Sequence, residues 1–168
     1  SIVSRNVDPL RSAVLTVGTI AGGTVFNIIP CEAVLTGTVR SFDPVVRDHM
    51  ERRIREVTAG TCAAFGAASE IEYVRGYPAL VNDPAMAEFV LETTRQVLGE
   101  SAVADLDPVM GGEDFAYFLR ERPGAFLFFG MGDGTQFPHH HPGFDLDEKA
   151  LPQATLLMSA LALRYLQA

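Results

Sequence analysis

Three consecutive histidines, His139, His140 and His141, hold three of the four imidazoles in the sequence. An imidazole nitrogen is a good ligand for zinc and other borderline divalent ions. In an extended loop neighbouring side chains face opposite ways. Three adjacent histidines therefore do not converge on one ion, and one of them would act as a ligand with partners elsewhere. Pro138 and Pro142 flank the run and stiffen its backbone. A polar surface loop would account for the same spacing.

Glu113-Asp114 directly follow Gly111-Gly112. Acidic residues at a helix start cap orphan N–H groups and complement the helix dipole. The same pair could do acid–base work. The two glycines before them let a ligand approach the backbone closely and can aim amides at an anion. Asn27 lies in a glycine-containing loop, where an Asn usually bonds local backbone. No G-x-S-x-G elbow and no phosphate-binding loop motif occurs in the sequence.

The elements that must position these residues read as β-β-α-β and then a helix-rich part. Residues 12–20 (SAVLTVGTI) and 33–42 (AVLTGTVRSF) are rich in Val, Leu and Thr and predict two strands of a wide hairpin. Asp43-Pro44 opens a helix that ends at Gly66, with Val46, Met50, Ile54, Val57 and Phe65 on one face. Residues 70–74 (EIEYV) alternate as a half-buried strand does. Asn82-Asp83-Pro84 caps a second helix, with Met86, Phe89, Val90 and Val97 inward, which Gly99 terminates. A short helix through Leu119 follows the Gly-Gly turn. Residues 125–131 (AFLFFGM) form an apolar run expected as a strand buried on both faces. A last helix after Leu151-Pro152 places Ala154, Leu157, Met158, Leu161 and Tyr165 inward.

The chain has 168 residues, room for one ordinary domain or two small ones. Its charged fraction of 20% lies below the about 25% of an average domain, and its hydrophobic fraction of 48% can build a core. The net charge of −8 disfavours nucleic acid and anionic lipid as partners. No apolar run approaches the roughly 20 residues of a membrane helix. The start at Ser1 has neither an initiator Met nor a signal-peptide pattern, as expected of a processed chain or a fragment. Cys31 and Cys62 form no C-x-x-C pair; a buried free thiol is expected at each, which fits the cytoplasm.

Val17-Gly18-Thr19-Ile20-Ala21-Gly22-Gly23-Thr24, Phe26-Asn27-Ile28-Ile29-Pro30 and Gly37-Thr38-Val39-Arg40-Ser41-Phe42 together resemble the lid of the co-catalytic metallo-amidohydrolases. Tyr77-Pro78, Val81-Asn82-Asp83, Met110-Gly111-Gly112-Glu113-Asp114-Phe115 and His140-His141-Pro142-Gly143-Phe144-Asp145 are similar to that family's later motifs, in the same order. The hippurate-hydrolase and auxin-conjugate branch fits best. The resemblance implies an α/β (α+β) protein: an incomplete ferredoxin-like β-β-α-β lid over residues 1–76, then the C-terminal part of a zinc-peptidase-like α/β catalytic domain over residues 77–168. The first lid strand, most of the first lid helix and the catalytic half bearing most metal ligands would be missing. Residues 1–4 would be the tail of that helix.

The resemblance further implies hydrolysis of small N-acyl amino acids by a water activated between two divalent ions (Zn, Mn, Co or Ni), with homodimerisation through the lid. It assigns His140 as the last metal ligand, Asn27 as a lid residue reaching substrate, and Gly111 and Gly112 as a loop lining the substrate pocket. Ala21 stands where a lid histidine is common, so no role is carried onto it. The chain alone is expected to be inactive. The alternative is a non-catalytic dimerisation or association module.

Overall fold

The computed structural model describes residues 2–167. Along the chain run α1 (Ile2–Asn6), β1 (Ala13–Gly22), β2 (Ala33–Ser41), α2 (Pro44–Ala64), α3 (Pro84–Leu98), α4 (Phe115–Glu121) and α5 (Leu151–Leu166). Single 3₁₀ turns lie at Glu100–Ala102 and Glu148–Ala150. This is a mixed α/β chain with one two-stranded sheet among the described residues. It divides into two compact units, one formed by the chain up to Leu80 with Val109–Tyr117, the other by Val81–Pro108 and the chain from Phe118 onward.

In the first unit β1 and β2 pair antiparallel, from Ala13 opposite Ser41 to Gly22 opposite Ala33. The register slips between Val17 and Thr19, leaving Gly18 as the extra residue of a bulge. Gly37 sits across from it, where a Cβ would collide with the Thr16 carbonyl oxygen. α2 starts where Asp43 accepts bonds from the Val45 and Val46 N–H groups, with Pro44 in its first turn. It packs on β2 and α1 and buries Val46 and Met50. It ends as Gly66 turns to φ 70° and the Ala67 N–H bonds back to the Cys62 carbonyl at 2.9 Å. Phe65, expected inward, falls in this cap and is 85% exposed. α1 agrees with the helical tail expected at residues 1–4, except that Ser1 lies outside the described residues.

Residues 70–74 form no ladder, contrary to the expected strand. No strand pairs with the segment among the described residues, and arginines of α2 meet the backbone between Ile71 and Gly76 instead. Arg55 donates to the Ile71 carbonyl at 3.1 Å and Arg47 to the Gly76 carbonyl at 2.6 Å. Arg75 bridges Asp48 and Glu51. The Arg55 and Arg75 guanidiniums hold the Glu51 carboxyl below its usual range.

In the second unit α3 and α5 pack together over Leu157, Leu161 and the buried Thr93. The Thr93 hydroxyl donates to the Phe89 carbonyl at 2.7 Å and accepts from Arg164 of α5 at 2.9 Å. Met158 and Tyr165, expected inward, are exposed. Residues 125–131, expected as a doubly buried strand, also lack a ladder, and Phe128 is 61% exposed. A side chain stands in for the missing neighbour. The Asn82 amide donates to the Phe126 carbonyl at 2.9 Å and accepts from its N–H at 2.8 Å. The Asp83 N–H bonds to the Gly124 carbonyl at 2.9 Å, while the Asp83 carboxylate caps α3. Both cysteines are free thiols, but Cys31 is exposed rather than buried and Cys62 is half-buried.

Candidate functional site

The histidine run is not extended. The His141 N–H bonds to the Pro138 carbonyl at 3.2 Å, and His140 has φ 69°. A positive φ at the third of four residues is the mark of a type II turn. A second turn follows at once, with the Phe144 N–H bonded to the His141 carbonyl at 2.9 Å around Pro142-Gly143. The expectation of alternating side chains therefore gives way to turn geometry, because the prolines set turns rather than an extended stretch.

This geometry separates the three imidazoles. His141 stacks on Phe137 with ring centroids 3.9 Å apart, and its Nδ1 accepts the Gly143 N–H at 3.0 Å. The acceptor role of Nδ1 puts the proton of the neutral ring on Nε2. His139 meets the Phe144 ring edge-on at 5.1 Å. His140 is exposed and makes no hydrogen bond, ion pair or ring contact among the described residues. It is also the one non-glycine residue with positive φ among them. A left-handed backbone costs an L-residue about 1–2 kcal/mol and tends to gather at functional sites. Phe137 escaped the sequence reading, and Phe144 entered it only as part of a motif. The signal for Phe137 was an aromatic residue directly before Pro138.

The loop before the run is braced by a carboxylate. Asp133 accepts from the Thr135 hydroxyl at 2.6 Å and from its N–H at 3.0 Å. These bonds hold its pKa below the ordinary carboxylate value.

Gly111, Gly112 and Asn27 fall in the first unit. A Cβ at Gly111 would meet nothing, and one at Gly112 would touch the Tyr77 ring at 3.4 Å. Neither glycine has positive φ. Tyr77 in turn packs edge-on against Tyr117 at 6.0 Å. Glu113 acts as a cap, its carboxylate accepting the Phe115 N–H at 3.1 Å at the start of α4. Asn27 is exposed in the loop between β1 and β2 and makes no hydrogen bond among the described residues, so the expected local backbone bond is not formed. Its neighbour Phe26 is fully exposed, at 102%, and Ile29 nearly so, at 93%.

Among the described residues no three His, Cys, Asp or Glu side chains gather as a metal site. Protein-bound zinc takes three or four protein ligands. The donors of this chain therefore do not by themselves fit a metal ion, and His140 is at most one member of a set.

The chain matches peptidase family M20/M25/M40 over residues 5–164 and belongs to that family. It is 43% identical over 166 residues to the N-acetyl-L-cysteine deacetylase of Bacillus subtilis, covering 99% of this chain and 39% of that protein. It is 32% identical over 172 residues to the IAA-amino acid hydrolase ILR1-like 4 of Arabidopsis thaliana, covering 98% of this chain and 39% of the relative. Its fold matches the crystal structure of the Bacillus subtilis YXEP protein, a dinuclear metal-binding peptidase of the M20 family. That match has a TM-score of 0.81 at 32% identity and covers 93% of this chain and 42% of the other. The chain thus spans about two-fifths of the length of these relatives. No helix among the described residues is long and apolar enough to cross a membrane.

Proposed function

We propose that this chain is the C-terminal part of a metal-dependent amidohydrolase of N-acyl amino acids, hippurate-like in substrate. His140 supplies one ligand to one of two divalent ions, and the other ligands come from outside these 168 residues. Asn27 and the Gly111-Gly112 segment contact substrate. One observation carries the assignment within the histidine run: His139 and His141 are occupied by aromatic and backbone partners, whereas His140 is held in a left-handed turn with its ring unengaged. The residues-1–76 part acts as the lid and pairs with a second copy. Supporting this, β1 and β2 each keep one edge without a ladder among the described residues, and Val17, Ile20, Val34 and Leu35 are exposed. The two free thiols suit a cytoplasmic setting.

The test has two parts. This chain alone, given N-benzoylglycine and Mn, Zn, Co or Ni, should show no turnover above a metal-only blank; chelator-sensitive hydrolysis would overturn the partial-site reading. In the complete enzyme, His140→Ala should remove one ion per site and cost more than the about 100-fold of a residue that merely orients a ligand. His139→Ala and His141→Ala should cost about tenfold or less. Equal losses in all three would overturn the assignment. Light scattering at about 20 μM should show a dimer, and a monomer would count against the lid pairing.

A further inference from the structure

We infer that the groove between residues 119–123 and residues 81–83, all in the second unit, binds a free α-amino acid in its zwitterionic form, aliphatic in side chain. The groove measures about 320 Å³, at the lower end of the roughly 300–1,000 Å³ of small-molecule sites. None of its lining residues belongs to the histidine turn or to the Gly111-Gly112 segment. Its walls are tied together. The Asn82 amide exchanges two hydrogen bonds with the Phe126 backbone, and the Asp83 N–H bonds to the Gly124 carbonyl. Leu119 lies in the space that Gly124 leaves free, since a Cβ there would stand 2.9 Å from the Leu119 Cδ2. The walls are therefore in place before a ligand arrives.

Charge decides the class of ligand. Arg120, Arg122, Asp83 and Glu121 all line the groove, and none of the four is ion-paired among the described residues. Arg122 uses one guanidinium N–H on the Glu121 carbonyl at 2.7 Å, and the Arg120 guanidinium has no hydrogen bond among them. Asp83 accepts the Met86 N–H on one carboxylate oxygen at 3.0 Å and leaves the other open. The two signs balance. A dianion is repelled by Asp83 and Glu121, and a polyamine by Arg120 and Arg122. A zwitterion answers both: its carboxylate accepts from the guanidiniums, and its ammonium donates to the carboxylates. Val81 and Leu119 add apolar surface for its side chain. Where the amidohydrolase reading above holds, a free amino acid is what the reaction releases, so this groove receives product rather than substrate.

The test is a two-dimensional NMR titration of this chain with EDTA present, so that it needs neither a metal ion nor turnover. The probes are L-leucine, 4-methylpentanoate, which lacks the ammonium, and 3-methylbutylamine, which lacks the carboxylate. Leucine should give saturable shifts of the Val81, Asp83, Leu119, Arg120 and Arg122 amides at millimolar concentration. It should bind about fivefold tighter than either analogue, the effect of one exposed ion pair. Replacing both Arg120→Gln and Arg122→Gln should bring leucine down to the affinity of 3-methylbutylamine. Glu121→Gln should weaken leucine but strengthen 4-methylpentanoate, a change of sign that general loosening of the groove does not produce. Shifts that do not saturate, that map elsewhere, or that are matched by either single-charge analogue would overturn the proposal. The three probes on the unmodified chain decide it even where a variant fails to fold. Absence of hydrolysis by the complete enzyme would sink the amidohydrolase reading and leave leucine binding standing, so the two fail separately.

Discussion

Two loops carry the assigned side chains, and they are built in opposite ways. The histidine loop is closed by two successive turns, stacked on Phe137, propped on Phe144 and braced by Asp133. The loop between β1 and β2 leaves Asn27 without a partner and Phe26 and Ile29 open to water. A ligand of a metal ion must sit within tenths of an ångström of its position, so its loop has to be rigid before the ion arrives. A lid residue that reaches substrate gains its contacts on closure, so its loop can stay bare until then. The difference between the loops is the one that the two proposed tasks would require.

The sharpest way to break that comparison is to relax the turn at His140. Glycine accepts φ 69° without the penalty that a Cβ carries. His140→Gly should therefore stabilise this chain by about 1 kcal/mol in urea denaturation, while His140→Ala should leave stability nearly unchanged. In the complete enzyme both substitutions should cost more than about 100-fold in activity, since neither restores the imidazole. A more stable glycine variant without activity would show that backbone strain is kept for the side chain it presents. Equal stability of the two variants would mean that the turn is not strained.

What the sequence made legible follows from how local each signal is. Asp43-Pro44 and Asp83-Pro84 start helices through contacts two or three residues away, and both caps are found where expected. The hairpin strands also form as expected, because β1 and β2 supply each other's ladder. Residues 70–74 and 125–131 have strand-like patterns too, yet a pattern cannot make a ladder without a neighbouring strand. Arg55 of α2 meets one carbonyl of the first and the Asn82 amide satisfies part of the second. Both solutions depend on residues 16 to 44 positions away, beyond the reach of periodicity. At the site, spacing nominated the histidine run but not the member. The resemblance named His140; the turn at Pro138 and the two phenylalanine contacts set it apart from its neighbours, and neither is visible in a run of identical residues.

A smaller effect tests the bare loop. Asn27→Ala removes no hydrogen bond formed among the described residues, so it should change this chain's stability by no more than about 0.5 kcal/mol. In the complete enzyme it should raise KM or lower kcat for N-acyl amino acids while leaving metal content intact. A clear stability loss would mean that the loop is braced after all. Unchanged kinetics would remove Asn27 from the substrate contacts. Gly111→Ala makes the matching test at the Gly-Gly segment, where a Cβ meets nothing among the described residues.

The smallest expected effect separates the two loops by pH. Asp133 has a folded-state pKa below its ordinary value because the Thr135 hydroxyl and N–H bond to its charged form. A carboxyl depressed by folding contributes stability that is complete above the unfolded value, about 3.9, and is lost as pH falls through the lower folded value. The Asp133–Thr135 brace should thus hold from neutral pH down to about pH 4 and loosen only below it. Between β1 and β2 the loop has no such carboxylate contact among the described residues, so it should show no matching step. Amide chemical shifts of Asp133, Thr135 and Gln136, followed from pH 6 to about pH 2, should report the transition, and Asp133→Asn should abolish it. A transition centred above the ordinary carboxylate value, or one shared equally by the amides of Phe26 and Asn27, would show that the two loops are not held differently.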